Sequence, residues 1–178
     1  LIELNFTEKQ IGVILDYCRE LDLSPSQIRE AKKVIEFLLK YGIPKDIFVR
    51  MLKKEKRILT LTLDEVLSRI QDLETLKYEK KAIVRILCPN AKILTEPIEY
   101  VTHIINFFLK KKMKIKIARE VVSELPSICD YTAEQLNAKL EEIESHRFTE
   151  EQALNVITHY PLILKKAKTY LPNESRFQ

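Results

Sequence analysis

The hydrophobic positions of the chain recur with a fixed period. Taking Phe148 as position zero of a repeat, the corresponding residues upstream are Met113, Tyr78, Ile43 and Phe6, at spacings of 35, 35, 35 and 37. All five are apolar. So are the residues nine positions further on, Leu15, Leu52, Leu87, Val122 and Ile157, and those fifteen further on, Leu21, Ile58, Ile93, Ile128 and Ile163. Offsets 23, 27 and 30 continue the pattern with Val66, Ile70 and Leu73; Val101, Ile105 and Phe108; and Leu136, Leu140 and Ile143. A two-residue insertion in the first repeat brings Ala31, Ile35 and Leu38 into line and accounts for its longer spacing.

Each repeat reads as a helix, an apolar turn prone to proline, and a second helix. In the clearest copy, residues 148–164, Thr149 caps a helix that carries Glu150 and Glu151 in its first turn and Ala153, Leu154, Val156 and Ile157 at helical spacing. Tyr160-Pro161 ends it, because proline disfavours an α conformation in the residue before it. The second helices are expected over 24–41, 63–76, 96–112 and 133–145. Ser24-Pro25 supplies a cap followed by proline at the first helical position, Thr132 precedes Ala133-Glu134-Gln135, and Gly42 falls where a helix C-terminus favours a left-handed residue. No strand-like alternation of useful length occurs.

A helix pair of this size cannot bury its apolar face alone, so such repeats stack on their neighbours. The expected fold is all-α: a solenoid of about five repeats, residues 4–41, 42–76, 77–112, 113–146 and an incomplete 147–171, forming one domain over 1–178 and a curved superhelix.

Repeats of this form resemble the motif of the mitochondrial transcription termination factor (mTERF) family. The motif is carried by FTEEQ and YPLIL within 148–164, FTEKQI within 5–15, LCPNAKIL within 83–94 and VVSELPSI over 121–128. The sequence departs from it at Glu55-Lys56 and Arg19-Glu20, which stand where proline is expected; those turns are either tighter or continue the helix. The resemblance implies a half-ring of helical repeats, a mitochondrial (matrix) or plastid location, and a nucleic-acid-binding role in organelle transcription or ribosome assembly, without enzymatic chemistry.

Composition fits one well-packed domain: 178 residues, 46% hydrophobic and 31% charged. With two glycines there is no phosphate-cradling G-x-x-x-x-G-K or G-x-G-x-x-G, and no apolar run approaches the roughly 20 residues of a membrane span. The chain starts at Leu1, inside a repeat, and reads as a fragment or processed form whose targeting peptide would lie upstream. The polar stretch 172–178 is expected to fray, and the fifth repeat lacks a second helix, leaving an apolar end near 162–171 for more chain or a partner.

Cys18, Cys88 and Cys129 are distant in sequence and read as free thiols, with Cys129 at the core offset of Leu59, Leu94 and Leu164. His103, His146 and His159 lie on or beside different repeats, with no metal-ligand spacing. Glu150-Glu151 suits a helix N-terminus, and Glu141, Glu142 and Glu144 suit a solvated face. No catalytic constellation, metal or cofactor is expected.

Charge changes the picture. Residues 1–42 carry a net −1, residues 43–112 a net +6 and residues 113–178 a net −1, so the overall +4 conceals a basic middle. In the second repeat Arg50, Lys53 and Arg57, and in the third Lys81, Arg85 and Lys92, fall on one helical stripe opposite the apolar side of Ile47, Phe48, Met51 and Leu52. Stacking would set Arg50 beside Arg85 and Arg57 beside Lys92, a ladder able to track phosphates. Lys110, Lys111, Lys112, Lys114, Lys116 and Arg119 form a second cluster, and Lys165, Lys166 and Lys168 a third. Tyr78, Tyr100, Tyr131 and Tyr160 are aromatic candidates for base stacking, with packing as their simpler role. Two functions are expected from this pattern. One is a monomeric clamp on duplex DNA or structured rRNA that acts by occupancy in transcription or ribosome biogenesis. The other is an α-solenoid scaffold for a protein partner such as an RNA-modifying enzyme, held at the C-terminal end.

Overall fold

The computed structural model describes residues 1–165. Among the described residues there is no strand, and the helices are α1 (Glu8–Glu20), α2 (Pro25–Tyr41), α3 (Lys45–Lys54), α4 (Leu63–Thr75), α5 (Lys80–Leu87), α6 (Lys92–Thr95), α7 (Glu99–Lys110), α8 (Ile115–Glu124), α9 (Ala133–Glu144) and α10 (Glu150–His159). Short 3-10 segments occupy Ile2–Leu4, Lys56–Thr60, Pro126–Asp130 and Pro161–Lys165. The chain divides into two compact units, Leu1–Ile98 and Glu99 onward.

The starts are chemically explicit. Thr7 with Gln10, Ser24 with Gln27, Thr62 with Glu65, Thr132 with Gln135 and Thr149 with Gln152 each form a reciprocal capping box, closing two otherwise orphaned N–H groups. The expected second helices 24–41, 63–76 and 133–145 match α2, α4 and α9 to within a residue or so. The third begins at Glu99 rather than 96, because Glu96 is held extended (φ −90°, ψ 158°) in front of Pro97.

The ends share one conformation. Asn5, Gly42, Lys77, Lys112 and Arg147 all have positive φ (57°, 123°, 67°, 63° and 69°), and each immediately precedes the buried residue at position zero of a repeat. At three of these ends the backbone closes the six-residue Schellman bond: Ile43 N–H to Leu38 O (3.1 Å), Tyr78 N–H to Leu73 O (3.1 Å) and Met113 N–H to Phe108 O (3.0 Å). Left-handed backbone costs a side-chain-bearing residue about 1 kcal/mol relative to glycine. Gly42 avoids that cost, and Asn5 reduces it.

Phe6, Ile43, Tyr78, Met113 and Phe148 are all buried, and so are all twelve second-helix positions at offsets 23, 27 and 30. Offset nine is buried at Leu52, Leu87, Val122 and Ile157 but not at Leu15, which is 38% exposed. In α1 the residue one place earlier, Ile14, takes the core position at 1% exposure. Leu15 instead lines an open apolar groove with Ile2, Ile11 and Ile28.

In the second, fourth and fifth repeats the turn at the end of the first helix breaks the α conformation in the same way. Glu55 (φ −146°, ψ 77°), Leu125 (φ −133°, ψ 72°) and Tyr160 (φ −138°, ψ 65°) each leave the helix and lead into a 3-10 segment. Pro126 and Pro161 enforce this on the residue before them. The second repeat has no proline there, and a carboxylate takes over. Glu55 Oε1 accepts from Arg57 N–H (3.1 Å) and Nε (2.9 Å), while Glu55 Oε2 receives Arg57 Nη2 (2.7 Å). At Arg19-Glu20 the helix simply continues, and the turn closes at Asp22 with φ 49°. In the third repeat α6 replaces the 3-10 segment, and buried Asn90 stands where Glu55 stands in the second.

Packing is between sequence neighbours. In the first unit α1 lies on α3, and α2 lies on α4 and on the 3-10 segment Lys56–Thr60. In the second unit α7 lies on α8 and on Pro126–Asp130, and α10 contacts both α8 and α9. Polar links tie successive turns: Lys56 Nζ to Glu20 (2.7 Å) and Arg57 Nη2 to Glu96 (2.8 Å) in the first unit, and Tyr131 Oη to Leu164 O (3.1 Å) in the second.

Candidate nucleic-acid interface

In the first unit α3 and α5 carry the cationic stripe. Their apolar residues Phe48, Met51, Leu52, Ile83, Ile86 and Leu87 are buried, which turns Arg50, Lys53, Lys81 and Arg85 outward, all four exposed. Arg50 Nη2 pairs with Asp46 Oδ2 one helical turn away at 3.1 Å, both side chains well exposed. Such a pair contributes little and is readily exchanged for a stronger anion. The two helices are close enough for Arg50 to favour the thiolate of Cys88 electrostatically, although burial dominates and pushes the Cys88 thiol up. Lys92 is exposed at the start of α6. Beside the stripe, Lys80 Nζ lies 5.1 Å from the centre of the Tyr41 ring, a cation–π contact.

Arg57 has a different setting. It is held by the buried Glu55, 6% exposed, and by Glu96, which raises its pKa well above the ordinary arginine value. Burial works to raise the Glu55 pKa, but the Arg57 hydrogen bonds outweigh it and hold the carboxyl below its ordinary range. This fork is the substitute for proline in that turn. Sequence spacing alone put Arg57 on the solvent stripe; the carboxylates on either side are what give it a structural task.

In the second unit Lys110, Lys112, Lys114 and Lys116 are exposed, and Arg119 is half-buried. Lys111 Nζ is committed to Glu150 Oε1 at 2.8 Å. Lys111, Lys112 and Lys114 edge an open groove of ≈ 450 Å³ whose other wall carries Glu150 and Glu151. The acidic wall disfavours phosphate inside the groove, so the cations serve a polyanion best from its rim. Lys165 is exposed as the final residue of the last 3-10 segment, whereas Lys166 and Lys168 lie outside the described residues.

The tyrosines are chiefly structural. Tyr78 is buried, Tyr100 donates to Asp130 Oδ1 (2.8 Å), and Tyr131 donates to Leu164 O. Tyr160 is 54% exposed. His103 bridges two backbone carbonyls, Glu99 O and Tyr131 O, at 2.9 Å each. Among the described residues no group of three or more His, Cys, Asp and Glu is assembled for a metal ion, and no helix is long and apolar enough to cross a membrane.

Two exposed cations, Lys77 and Arg147, lie off the predicted stripes, at the same left-handed position as Lys112. The signal for them was present in Gly42, which marks the helix C-terminus one place before each repeat begins.

The described residues thus form an all-α protein of short helices, two of which, α3 and α5, expose a cationic face. A model of the mTERF family matches residues 3–177, and the chain belongs to that family. A search of curated proteins gives no match.

Proposed function

We propose that this chain is a non-enzymatic organellar nucleic-acid-binding protein, working in the mitochondrial matrix and acting by occupancy on duplex DNA or structured rRNA. Its helix pairs would stack as a solenoid of five repeats, in keeping with the neighbour-to-neighbour packing of α1 on α3 and α2 on α4. The observation that carries the reading is the pair of helices α3 and α5. They bury one face and expose Arg50, Lys53, Lys81 and Arg85 on the other, in a member of the mTERF family. Lys92, Lys110, Lys112, Lys114, Lys116, Arg119, Lys165 and Lys166 extend the proposed interface. Arg57 and Lys111 support it indirectly, by fixing a turn and a helix start. Bound polymer would regulate transcription or ribosome biogenesis by blocking or ordering the site it covers.

The test is affinity for duplex DNA and for structured RNA across a salt series. The wild-type chain is expected to bind one of them with log affinity falling steeply against log salt. Replacing Arg50, Lys53, Lys81 and Arg85 by glutamate is expected to lower that affinity at least a hundredfold while the far-UV circular dichroism is unchanged. Wild-type affinity in the folded fourfold variant would overturn the reading. The alternative, a scaffold for a protein partner, draws on Tyr160 and Leu162, which are 54% and 58% exposed. It predicts that the fourfold variant keeps its protein partner.

A further inference from the structure

Two exposed cations that the proposed interface does not use, Lys77 and Arg147, belong with Lys112 to one series of left-handed residues at helix ends. Resting on the nucleic-acid reading above, we infer that Lys77, Lys112 and Arg147 are phosphate-contacting cations, each presented on a rigid helix-terminal turn. The five equivalent residues Asn5, Gly42, Lys77, Lys112 and Arg147 share positive φ, and the turn is built from the same backbone bonds whichever residue occupies it. Glycine and asparagine are the residue types that suit this conformation, and the chain uses them at the first two positions. At the next three it places a cation. All three side chains are exposed and, among the described residues, make no ion pair or side-chain hydrogen bond. That sets them apart from Arg50, Lys56, Arg57 and Lys111, each already matched with a carboxylate.

A cation near a helix C-terminus is favoured by the helix dipole, so a purely local role is the competing account. At Lys112 the flanking lysines favour an anionic ligand at the rim of the groove, outside the acidic wall of Glu150 and Glu151. Lys112 stands between exposed Lys110 and Lys114, whose repulsion a stability role would not tolerate as readily as a phosphate would exploit. The turn also fixes the backbone on both sides through the bonds from Lys77 N–H to Glu74 O (2.8 Å), Lys112 N–H to Leu109 O (2.9 Å) and Arg147 N–H to Glu144 O (2.9 Å). A phosphate contact made there therefore costs only the ordering of one side chain. Lys77 belongs to the first compact unit and Lys112 and Arg147 to the second, and each makes its own contact.

The deciding experiment uses the same chain carrying Lys77→Gly, Lys112→Gly and Arg147→Gly together, with the three asparagine substitutions as a second variant. Both residue types are at ease in left-handed backbone, so both variants stay folded. On duplex DNA each lost phosphate contact lowers the salt slope by about 0.9, so a drop of roughly two to three is expected, with at least tenfold weaker binding at low salt. Two variants that melt cooperatively yet keep the wild-type affinity and slope would overturn the inference, and would leave the α3 and α5 reading standing. Failure of the wild-type chain to bind either polymer would overturn both.

Discussion

Single side chains set the geometry of the turns, and Glu55 shows how. Its carboxylate does the work proline does at Pro126 and Pro161, but a carboxylate titrates and a proline does not. Because the folded-state pKa lies below the ordinary carboxylate value, the fork with Arg57 contributes stability above that range and loses it as pH falls through the lowered value. Urea denaturation of the wild type and Glu55→Gln at pH 7 and pH 3 should show a gap of about 2 kcal/mol that shrinks at the lower pH. A pH-independent gap would assign the effect to packing. Cys129 offers a second check at this scale. Burial pushes its thiol up to about 12, with Asp130 adding to the effect. At pH 8 the native protein should resist iodoacetamide at Cys129 while half-buried Cys88 is modified faster, and equal rates would contradict the packing described. The left-handed turns give a third. Lys112→Gly should be more stable than Lys112→Ala by about 1 kcal/mol in thermal melts, because alanine keeps the strain that glycine removes.

Elements were the most legible level of the sequence. Ser24, Thr132 and Thr149 announced α2, α9 and α10 as caps, and the 35-residue period located the buried faces of the second helices, while the capping boxes at Thr7 and Thr62 came to light only in the structure. Two further things escaped that reading, each for a physical reason. Turns whose shape is imposed by a side-chain hydrogen bond, as at Glu55, carry no backbone signature in the sequence. Helix rotation at the first repeat depends on what lies beside it, and there Ile14 rather than Leu15 turns inward. The pair gives a sharp comparison. Leu87→Asp places an unpaired charge at a fully buried position and should abolish cooperative unfolding, whereas Leu15→Asp should cost less than about 1 kcal/mol. Similar melting of the two variants would mean that α1 and α5 do not differ in rotation as described. The cationic stripe was legible as a charge pattern on α3 and α5. Which cations were already engaged was not: Glu96 and Glu150 reach Arg57 and Lys111 from other parts of the chain, and Glu55 folds back on Arg57 only because the turn brings them together.

At the scale of the molecule, charge and connectivity matter more than any one contact. The net +6 of residues 43–112 is the part of the chain expected to govern the approach of a polyanion, and the steepness of the salt dependence should follow it. The packing of each helix on its sequence neighbours, α1 on α3, α2 on α4 and α10 on α8 and α9, has a different kind of consequence. Little of either compact unit waits for a distant stretch of chain before it can form. Chains rich in such local contacts fold in microseconds to milliseconds, well ahead of a ribosome adding about 5–20 residues per second. A protein wired this way can acquire its structure pair by pair as it emerges end first from a narrow channel, leaving little unfolded chain exposed at any moment.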